Sequence, residues 1–499
     1  MGEIKKQSIR GTLYSYIGAF LGFLITGFML PQILTAEENG LRGLLMAVSV
    51  IMAHVANIGL ANVITMFFPY FRNPEKKHNG FLILILKYSS AGFIFSMIVY
   101  FVLRPWLISS NLEDSALFAD YIDVLIPLTF ILQLFNILDA YIKVLYNATI
   151  GISLKEIWQR IYMIIGIALY YYGYIDFNGF IIAFILSNFL PLLMLIVKLM
   201  ISGNLSLTAS PGFADAAMRK KMFSVGIYAL ITTLGSSLIL YIDQLMVNAM
   251  IDIRAAGIYI ITYFFGSIVI IPSRSVIKIS SIMLADAWKD QDLETVYKIY
   301  YKSVINQLLI GSFIFIGIWS NIDNIMDFIL PAKYAEGRYV IFFIGIGFMF
   351  EMASGVSSAL LATSKYYKAT TTLQIFLIGI VVLLNYLLIP VYGIIGAAIS
   401  TVLSKFLYNF IRFVYLNRTF KMQPYNYRSL LIILIAVISW FVAWILPFAG
   451  NHFLDMFLRT SVMTICFGTL AISLKVSEEV NIIYHKVIIL VKQKVLKNK

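Results

Sequence analysis

Cysteine is all but missing from this chain. Cys466 stands alone among 499 residues, which excludes a disulfide framework and any metal site built on several thiolates. Charge is scarce too, at 13% of residues, about half the share of an average soluble domain. No polar stretch is long enough to fold as a domain of its own, so a catalytic head outside a membrane is excluded. The four histidines, at 54, 78, 452 and 485, lie in separate regions. With no Walker A loop and no paired nucleophile and base, the sequence offers no hydrolytic or group-transfer site, and we expect no enzyme activity. What fills the chain instead is apolar: 60% hydrophobic residues and a mean hydropathy of +0.87. That excess runs from end to end, so the chain reads as an all-α polytopic membrane protein.

A spanning helix needs about 20 apolar residues. About 14 segments meet that length, from 11–34 to 454–474. They are continuously apolar, as in GFLILILKYSSAGFIFSMIVYFVL (80–103), and lack the alternation of barrel strands. If the connections are assigned alternately to two sides, Lys and Arg divide roughly five to one, and the rich side is cytoplasmic by the positive-inside rule. One span more or fewer would erase that asymmetry. We therefore expect both termini in the cytoplasm and the first span retained. The net charge of +13 is spread over many loops, which fits contact with anionic membrane lipid and not nucleic acid. Two further segments read as interfacial amphipathic helices: the tail 476–499, with Val480, Ile483, Val487, Leu490 and Val491 at helical spacing, and the loop 285–303, with Trp288, Leu293 and Tyr297 on one side. Asp290-Gln291-Asp292 in that loop is like the metal-binding pair of glycosyltransferases, but no nucleotide-binding domain surrounds it, and a solvated face explains it.

The chain also repeats itself. ILTAEENGLRGLL (33–45) matches MIDIRAAGIYIIT (250–262), and IDFNGFIIAFILSNFL (175–190) matches YGIIGAAISTVLSKFL (392–407). Gly40 aligns with Gly257, Gly179 with Gly396 and Ser187 with Ser404, all 217 residues apart. The repeat length corresponds to an even number of spans, so the copies run parallel. The expected organisation is two pseudo-symmetric six-helix lobes, 1–221 and 222–421, then two C-terminal helices in 422–475 and the tail. Transporters built from such repeats bind substrate between halves and alternate access.

Ionisable and amide groups inside spans are costly and mark functional candidates. Candidate lumen residues are Arg42, His54, Asn57, Gln133, Asn136, Asp139, Arg254, Arg274, Lys278 and Asn385. Gln133, Asn136 and Asp139 form a stripe on one face of the fourth span. Each has a plainer reading: Asp139 with Lys143 and Glu156 with Arg160 are spaced for i,i+4 ion pairs, and Arg274 and Lys278 are placed to snorkel. Asp243 and Glu351 have no base within one turn on their own helices. A buried carboxylate without a partner carries a proton or holds Na⁺ readily, so these two are the ion-coupling candidates. We expect no resident cofactor or metal, with Na⁺ or H⁺ as coupling ion.

LPAKYAEGRYVIFFIGIGFMFEMASG (330–355), LLATSKYYKAT (360–370) and LLNYLLIPVYGIIGAAISTVLS (383–404) resemble the second half of bacterial polysaccharide flippases, within the multidrug/oligosaccharidyl-lipid/polysaccharide exporter superfamily. YIDQLMVNAMIDIRAAGIYIITYFF (241–265) and LPQILTAEENGL (30–41) resemble its seventh-to-eighth and first-to-second span junctions. The resemblance covers spans one to twelve. It implies two six-helix lobes in a V, two further helices bordering a groove, and a substrate made of a glycan on undecaprenyl diphosphate, such as an O-antigen unit of lipopolysaccharide or a capsule unit. The substrate would pass to the outer leaflet of the bacterial inner membrane, beside other polysaccharide assembly proteins. The first span, GTLYSYIGAFLGFLITGFML, carries no charge, unlike relatives that flip lipid II and unlike many drug exporters. The rival readings are a cation-coupled multidrug exporter of the same fold, a membrane glycan polymerase and a non-transporting scaffold.

Overall fold

The structure, a computed structural model, describes residues 2–109, 115–208, 210, 212–482, 484 and 486. Among them it is helical throughout, with no strand. This is the expected all-α polytopic membrane architecture. Eleven helices are long and apolar enough to cross a membrane, and a bent pair makes a twelfth. The expected segments overlie these elements. The 53-residue stretch Lys368–Phe420 would be about 80 Å long if straight, more than twice the hydrocarbon thickness of about 30 Å. It holds the expected eleventh and twelfth spans, separated by a kink at Gly393 (φ 58°). The expected fifth span, 151–173, is divided into three helical pieces.

The chain forms two compact units, Met1–Ile261 and Thr262–Lys499. In the first, the longer helices are α1 (Gly2–Phe23), α2 (Ala36–Asn57), α3 (Leu60–Phe71), α4 (Phe81–Ser109), α5 (Leu125–Val144), α6 (Ala148–Ser153), α7 (Gln159–Tyr171), α8 (Phe177–Ile201), α9 (Ala216–Met250) and the start of α10 (Ile253–Ser267). Its core lies where α3, α4 and α5 meet. There Phe68 packs edge-on to Tyr141 at 5.6 Å and to Phe81 at 5.5 Å. Rings bury more area than any aliphatic side chain and favour such tilted contacts.

The repeat seen in the sequence reappears as a contact. α2 starts at a capping box, in which Thr35 accepts from the Glu38 amide at 3.1 Å and Glu38 accepts from the Thr35 amide at 2.8 Å. At the equivalent place Asp252 accepts from the Ala255 amide at 2.6 Å and starts α10. The two helices then meet glycine to backbone. A Cβ on Gly40 would lie 2.1 Å from the Ile253 carbonyl oxygen, and one on Gly257 would lie 1.8 Å from that of Ala36. Gly43 meets the Ile260 side chain in the same way. Position 40 thus touches 253, position 257 touches 36, and position 43 touches its own equivalent 260, which is the reciprocal pattern of a two-fold contact.

In the second unit the helices are α11 (Ile271–Lys289), α12 (Leu293–Ser320), α13 (Arg338–Ala353), α14 (Ser357–Thr363), α15 (Tyr367–Phe420), α16 (Tyr427–Trp444) and α17 (His452–Ser473). Two cores form here. Ile305, Leu309 and Ile316 of α12 pack with Ile432 and Ile435 of α16 and with Phe467 of α17. Leu284, Val296 and Tyr300 pack with Leu360 and Leu416. Residues 285–303, expected as one amphipathic helix, are divided by a turn. They are the facing ends of α11 and α12, joined by a tight turn in which Gln291 is left-handed (φ 56°) and Asp292 caps Thr295 at 2.9 Å. Those hydrogen bonds hold the Asp292 carboxyl below the usual range. Of the hairpin's expected apolar side, Trp288 packs against that second core, while Leu293 and Tyr297 are exposed, at 51% and 39%.

Most of the expected tail helix lies outside the described residues. Its start is built into the second unit. Val476 is buried, the Ser477 hydroxyl donates to Asn306 at 2.7 Å, and Lys302 reaches Glu479 at 2.6 Å. Arg459 holds the other end of this region, donating to the carbonyls of Ala443 and Leu446 at the end of α16 while paired with Asp455 at 2.6 Å. These are carbonyls that a helix end leaves open.

Two outcomes follow. Gly257→Ala is expected to lower the thermal midpoint, since overpacking costs about 1–3 kcal/mol. Gly379→Ala, with no atom within 4 Å of the added carbon, should leave it unchanged; equal effects in the two variants would refute the crossing. The second concerns pH. Burial raises the Glu479 carboxyl, but Lys302, its own amide and Asn306 outweigh this and leave it lowered. Its contribution to docking is therefore complete above the ordinary value near 4.3 and is lost as pH falls through the lowered folded value. Protection of the amides at 477–482 from exchange should be constant above the ordinary value and fall as pH drops from there to the lowered folded value.

Candidate functional site

The second expected span is broken. α2 ends and α3 begins through Ile58 (φ 45°) and Gly59 (φ 67°), both left-handed. For a β-branched residue such as Ile58 that conformation is strained. The break leaves carbonyls without a helical partner, and in hydrocarbon each needs another. Gln133 supplies one: its amide nitrogen reaches Ala56 O at 3.4 Å while donating to Ser89 at 2.7 Å. Glycines let neighbouring helices close on the others. A Cβ on Gly92 would lie 2.0 Å from Ala56 O, and one on Gly226 would lie 2.6 Å from Ile58 O.

Beside the break lies a cavity of about 310 Å³. His54 and Asn57 come to it from α2, Asn136, Asp139 and Lys143 from α5, and Thr233 from α9. Polar residues make up most of its lining, with Asn62 and Thr65 of α3 beside those already named. Asn57 is buried, and its Oδ1 has no hydrogen-bond partner among the described residues. Asp139 pairs with Lys143 one turn on, as its spacing implied. Its other carboxylate oxygen sits against α6, so close to Gly151 that a Cβ there would lie 1.7 Å from it. Lys155, just beyond α6, is exposed and within electrostatic reach of both His54 and Asp139.

A second polar group borders α1. Glu156 pairs with Arg160 at 2.8 Å. The two face Gly18 and Gly22 of α1, where a Cβ would lie 2.4 Å from Glu156 Oε2 and 2.3 Å from Arg160 Nη1. The uncharged first span thus receives charge from its neighbour.

Four sequence candidates therefore share one cavity: His54, Asn57, Asn136 and Asp139. Gln133 stands behind them as a brace for the break. Arg42 and Arg254 are placed in the first unit, away from the cavity wall, half-buried and exposed respectively. Asp243 is buried and accepts from the Tyr259 hydroxyl at 3.0 Å. In the second unit, Arg274 and Lys278 are exposed one turn apart on α11, and Asn385 is fully buried. Glu351 differs from expectation: it is not a partnerless carboxylate. Lys405, 54 residues later on α15, bonds it at 3.1 Å and lies over the Phe348 ring at 4.4 Å. Asp243 likewise has Tyr259. Sequence reasoning overlooked Lys155, which reads as a flank of the cytoplasmic loop. Its signal was its place immediately before the Glu156–Arg160 pair. Among the described residues no group of three His, Cys, Asp or Glu is arranged to hold a metal.

No protein-family description matches the sequence. An uncharacterized membrane protein of Methanocaldococcus jannaschii is 23% identical over 397 residues, 73% of this chain and 74% of that protein. Among solved structures, the lipid II flippase MurJ in an inward closed conformation matches with a TM-score of 0.71 at 14% identity, covering 97% of this chain and 99% of that one. An inward-facing multidrug resistance MATE family transporter of the MOP superfamily matches with a TM-score of 0.64 at 14% identity, covering 80% and 94%. At such identities the likeness establishes a shared fold.

The ion pair gives a third testable outcome. Glu351→Gln strands the Lys405 ammonium and should destabilise the protein, by less than the ~3–5 kcal/mol of a fully buried pair. Glu351→Gln with Lys405→Met should recover most of the loss in a thermal-unfolding double-mutant cycle. Additive losses would mean the pair does not interact.

Proposed function

We propose that this chain is a transporter that flips an anionic lipid-linked oligosaccharide from the cytoplasmic to the outer leaflet of the plasma membrane by alternating access. Both termini would be cytoplasmic, and the repeats 1–221 and 222–421 would move against each other with 422–475 as added helices. The observation that carries this reading is the polar cavity beside the α2–α3 break. Its volume is at the lower end of ligand pockets, which run from about 300 Å³, enough for a terminal sugar. Neutral donors and acceptors such as Asn57, Asn136 and Thr233 suit hydroxyl groups. The orphan acceptor on Asn57 gains most from a ligand that donates.

Other features support the remaining parts of such a substrate. Lys143 puts an ammonium group in the wall of the first-unit cavity and Lys155 adds one within electrostatic reach of His54 and Asp139, where a diphosphate rather than a hydrophobic cation is favoured. This weighs against the drug-exporter reading. On α11, exposed Arg274 and Lys278 stand beside exposed Ile279 and Ile282, a mixed face for phosphate next to hydrocarbon. An apolar groove of about 390 Å³ between α12, α13 and α16, walled by Phe315, Trp319, Phe342 and Trp440, suits a polyprenyl chain. The glycan would be an O-antigen or capsule unit on undecaprenyl diphosphate. Coupling to Na⁺, H⁺ or membrane potential would act through Asp243, with Glu351 gated by its pair.

The test is genetic and chemical. Deleting the gene should cause a lipid-linked oligosaccharide to build up on the inner leaflet, with loss of surface glycan. Asn57→Ala with Asn136→Ala, or Lys155→Ala, should restore less than about a tenth of surface glycan, the effect of one lost charged or buried hydrogen bond, at normal protein level. Accumulation of no lipid-linked intermediate, or extrusion of a hydrophobic cation unaffected by these variants, would overturn the proposal.

A further inference from the structure

The expected tenth span is bent by 49° between Ala332–Ala353 and Ser357–Thr363, and residues 354–357 at the bend are all buried. Gly355 is left-handed there (φ 56°). Val356 finds its partner on another helix. Its amide donates to the Ser303 hydroxyl of α12 at 3.1 Å, and that hydroxyl donates to Tyr300 O at 2.7 Å. The Gly355 carbonyl accepts no backbone bond among the described residues. A carbonyl held away from water in this way is costly.

A second polar group faces the same bend. Ser303, Gln307 and Gly311 are spaced i, i+4 and i+8, so they form one ridge of α12. Both ends of that ridge touch the bent span. A Cβ on Gly355 would lie 2.5 Å from Ser303 Oγ, and one on Gly311 would lie 3.0 Å from Met352 Cγ. Gln307 stands between these two contacts and is 1% exposed. Among the described residues neither its Nε2 nor its Oε1 has a hydrogen-bond partner, and each keeps less than 1 Å² of accessible surface. A water or an ion bound to either atom needs a space of its own size beside it, and so small a surface leaves none. The Ser357 hydroxyl is stranded in the same way. An amide buried dry and unbonded carries its whole desolvation cost. Here an unused donor and an unused carbonyl lie on facing elements without meeting.

The first unit holds the engaged version of this arrangement. At the break through Ile58 and Gly59, Gln133 Nε2 reaches across to Ala56 O at 3.4 Å. In the second unit a serine holds the break and the glutamine is idle. The seam permits an exchange of the two. Gly311 presents no side chain and meets Met352 and Met349, whose unbranched thioethers repack readily.

We propose that the bend in the tenth span has two arrangements and that Gln307 is the latch of the second: Gln307 Nε2 donates to Gly355 O, and Val356 leaves Ser303. The structure holds the first arrangement, with Ser303 engaged. A contact made in one of two conformations and not in the other sets their populations, so Ser303 and Gln307 bias the bend in opposite directions. The latch uses no residue of the first-unit cavity and needs no substrate, so it stands or falls apart from the transport reading.

The test uses the full chain purified in detergent without substrate. It compares Gln307→Met, Ser303→Ala and the double variant by unfolding midpoint and by amide exchange across 355–359. Gln307→Met removes the stranded amide at similar side-chain length and should raise the midpoint. In the Ser303→Ala background the same substitution should lower it, because Gln307 is then the brace. Exchange across 355–359 should also be roughly tenfold faster in the double variant than in Ser303→Ala, the effect of one hydrogen bond. A double variant that fails to fold while both single variants fold gives the same answer. A lowered midpoint in both backgrounds would mean that Gln307 is satisfied where it stands, and a raised one in both that it never engages. Either result, or a Ser303→Ala protein that does not fold, overturns the proposal.

Discussion

Hydrocarbon offers a peptide group nothing to bond with, so every interruption of a spanning helix has to be resolved by protein. This constraint organises the structure around its breaks. At Ile58–Gly59 the side chain of Gln133 and the bare faces of Gly92 and Gly226 close over the freed carbonyls. Between α13 and α14 the Ser303 hydroxyl accepts from the Val356 amide at 3.1 Å, beside left-handed Gly355. Once polar groups are gathered to satisfy a break, further polar groups can be placed beside it at little added cost. The first-unit cavity and the Glu351–Lys405 pair both lie next to such breaks.

Glycine has two separate tasks here. At Gly59, Gly355 and Gly393 it, or its neighbour, takes a backbone angle most residues avoid. At Gly18, Gly22, Gly151, Gly40 and Gly257 the angle is ordinary and the missing side chain is what matters. The first three of these five bring charged side chains against uncharged stretches of α1 and α6. The last two bring backbone against backbone. The same residue type therefore sets both where helices bend and where charge is admitted to an apolar bundle.

Much of the fold could be read from hydropathy because the bilayer imposes one length and one polarity on each span. The break in the second span left only the faint trace of Asn57 and Gly59. The Asp139–Lys143 and Glu156–Arg160 pairs were legible because they are local, at i,i+4. Glu351 and Lys405 were not, since 54 residues separate them and nothing in a one-dimensional pattern tells which helix faces which. The turn at 290–292 was missed for a related reason: an apolar stripe through Trp288, Leu293 and Tyr297 runs across it without interruption. Lys155 was hidden by its likeness to the topogenic lysines around it.

The crossing of α2 and α10 has an implication for origins. A surface on which residue 40 meets the counterpart of 36, and residue 36 the counterpart of 40, is its own complement, and self-complementary surfaces are those by which identical subunits pair. A half-length ancestor bearing this helix start would already have been able to dimerise, so gene fusion had only to tether an existing homodimer. Thereafter each copy was free to diverge, Tyr259 in one place and Arg42 in the other, while the small residues at the seam stayed bound to one another's shape.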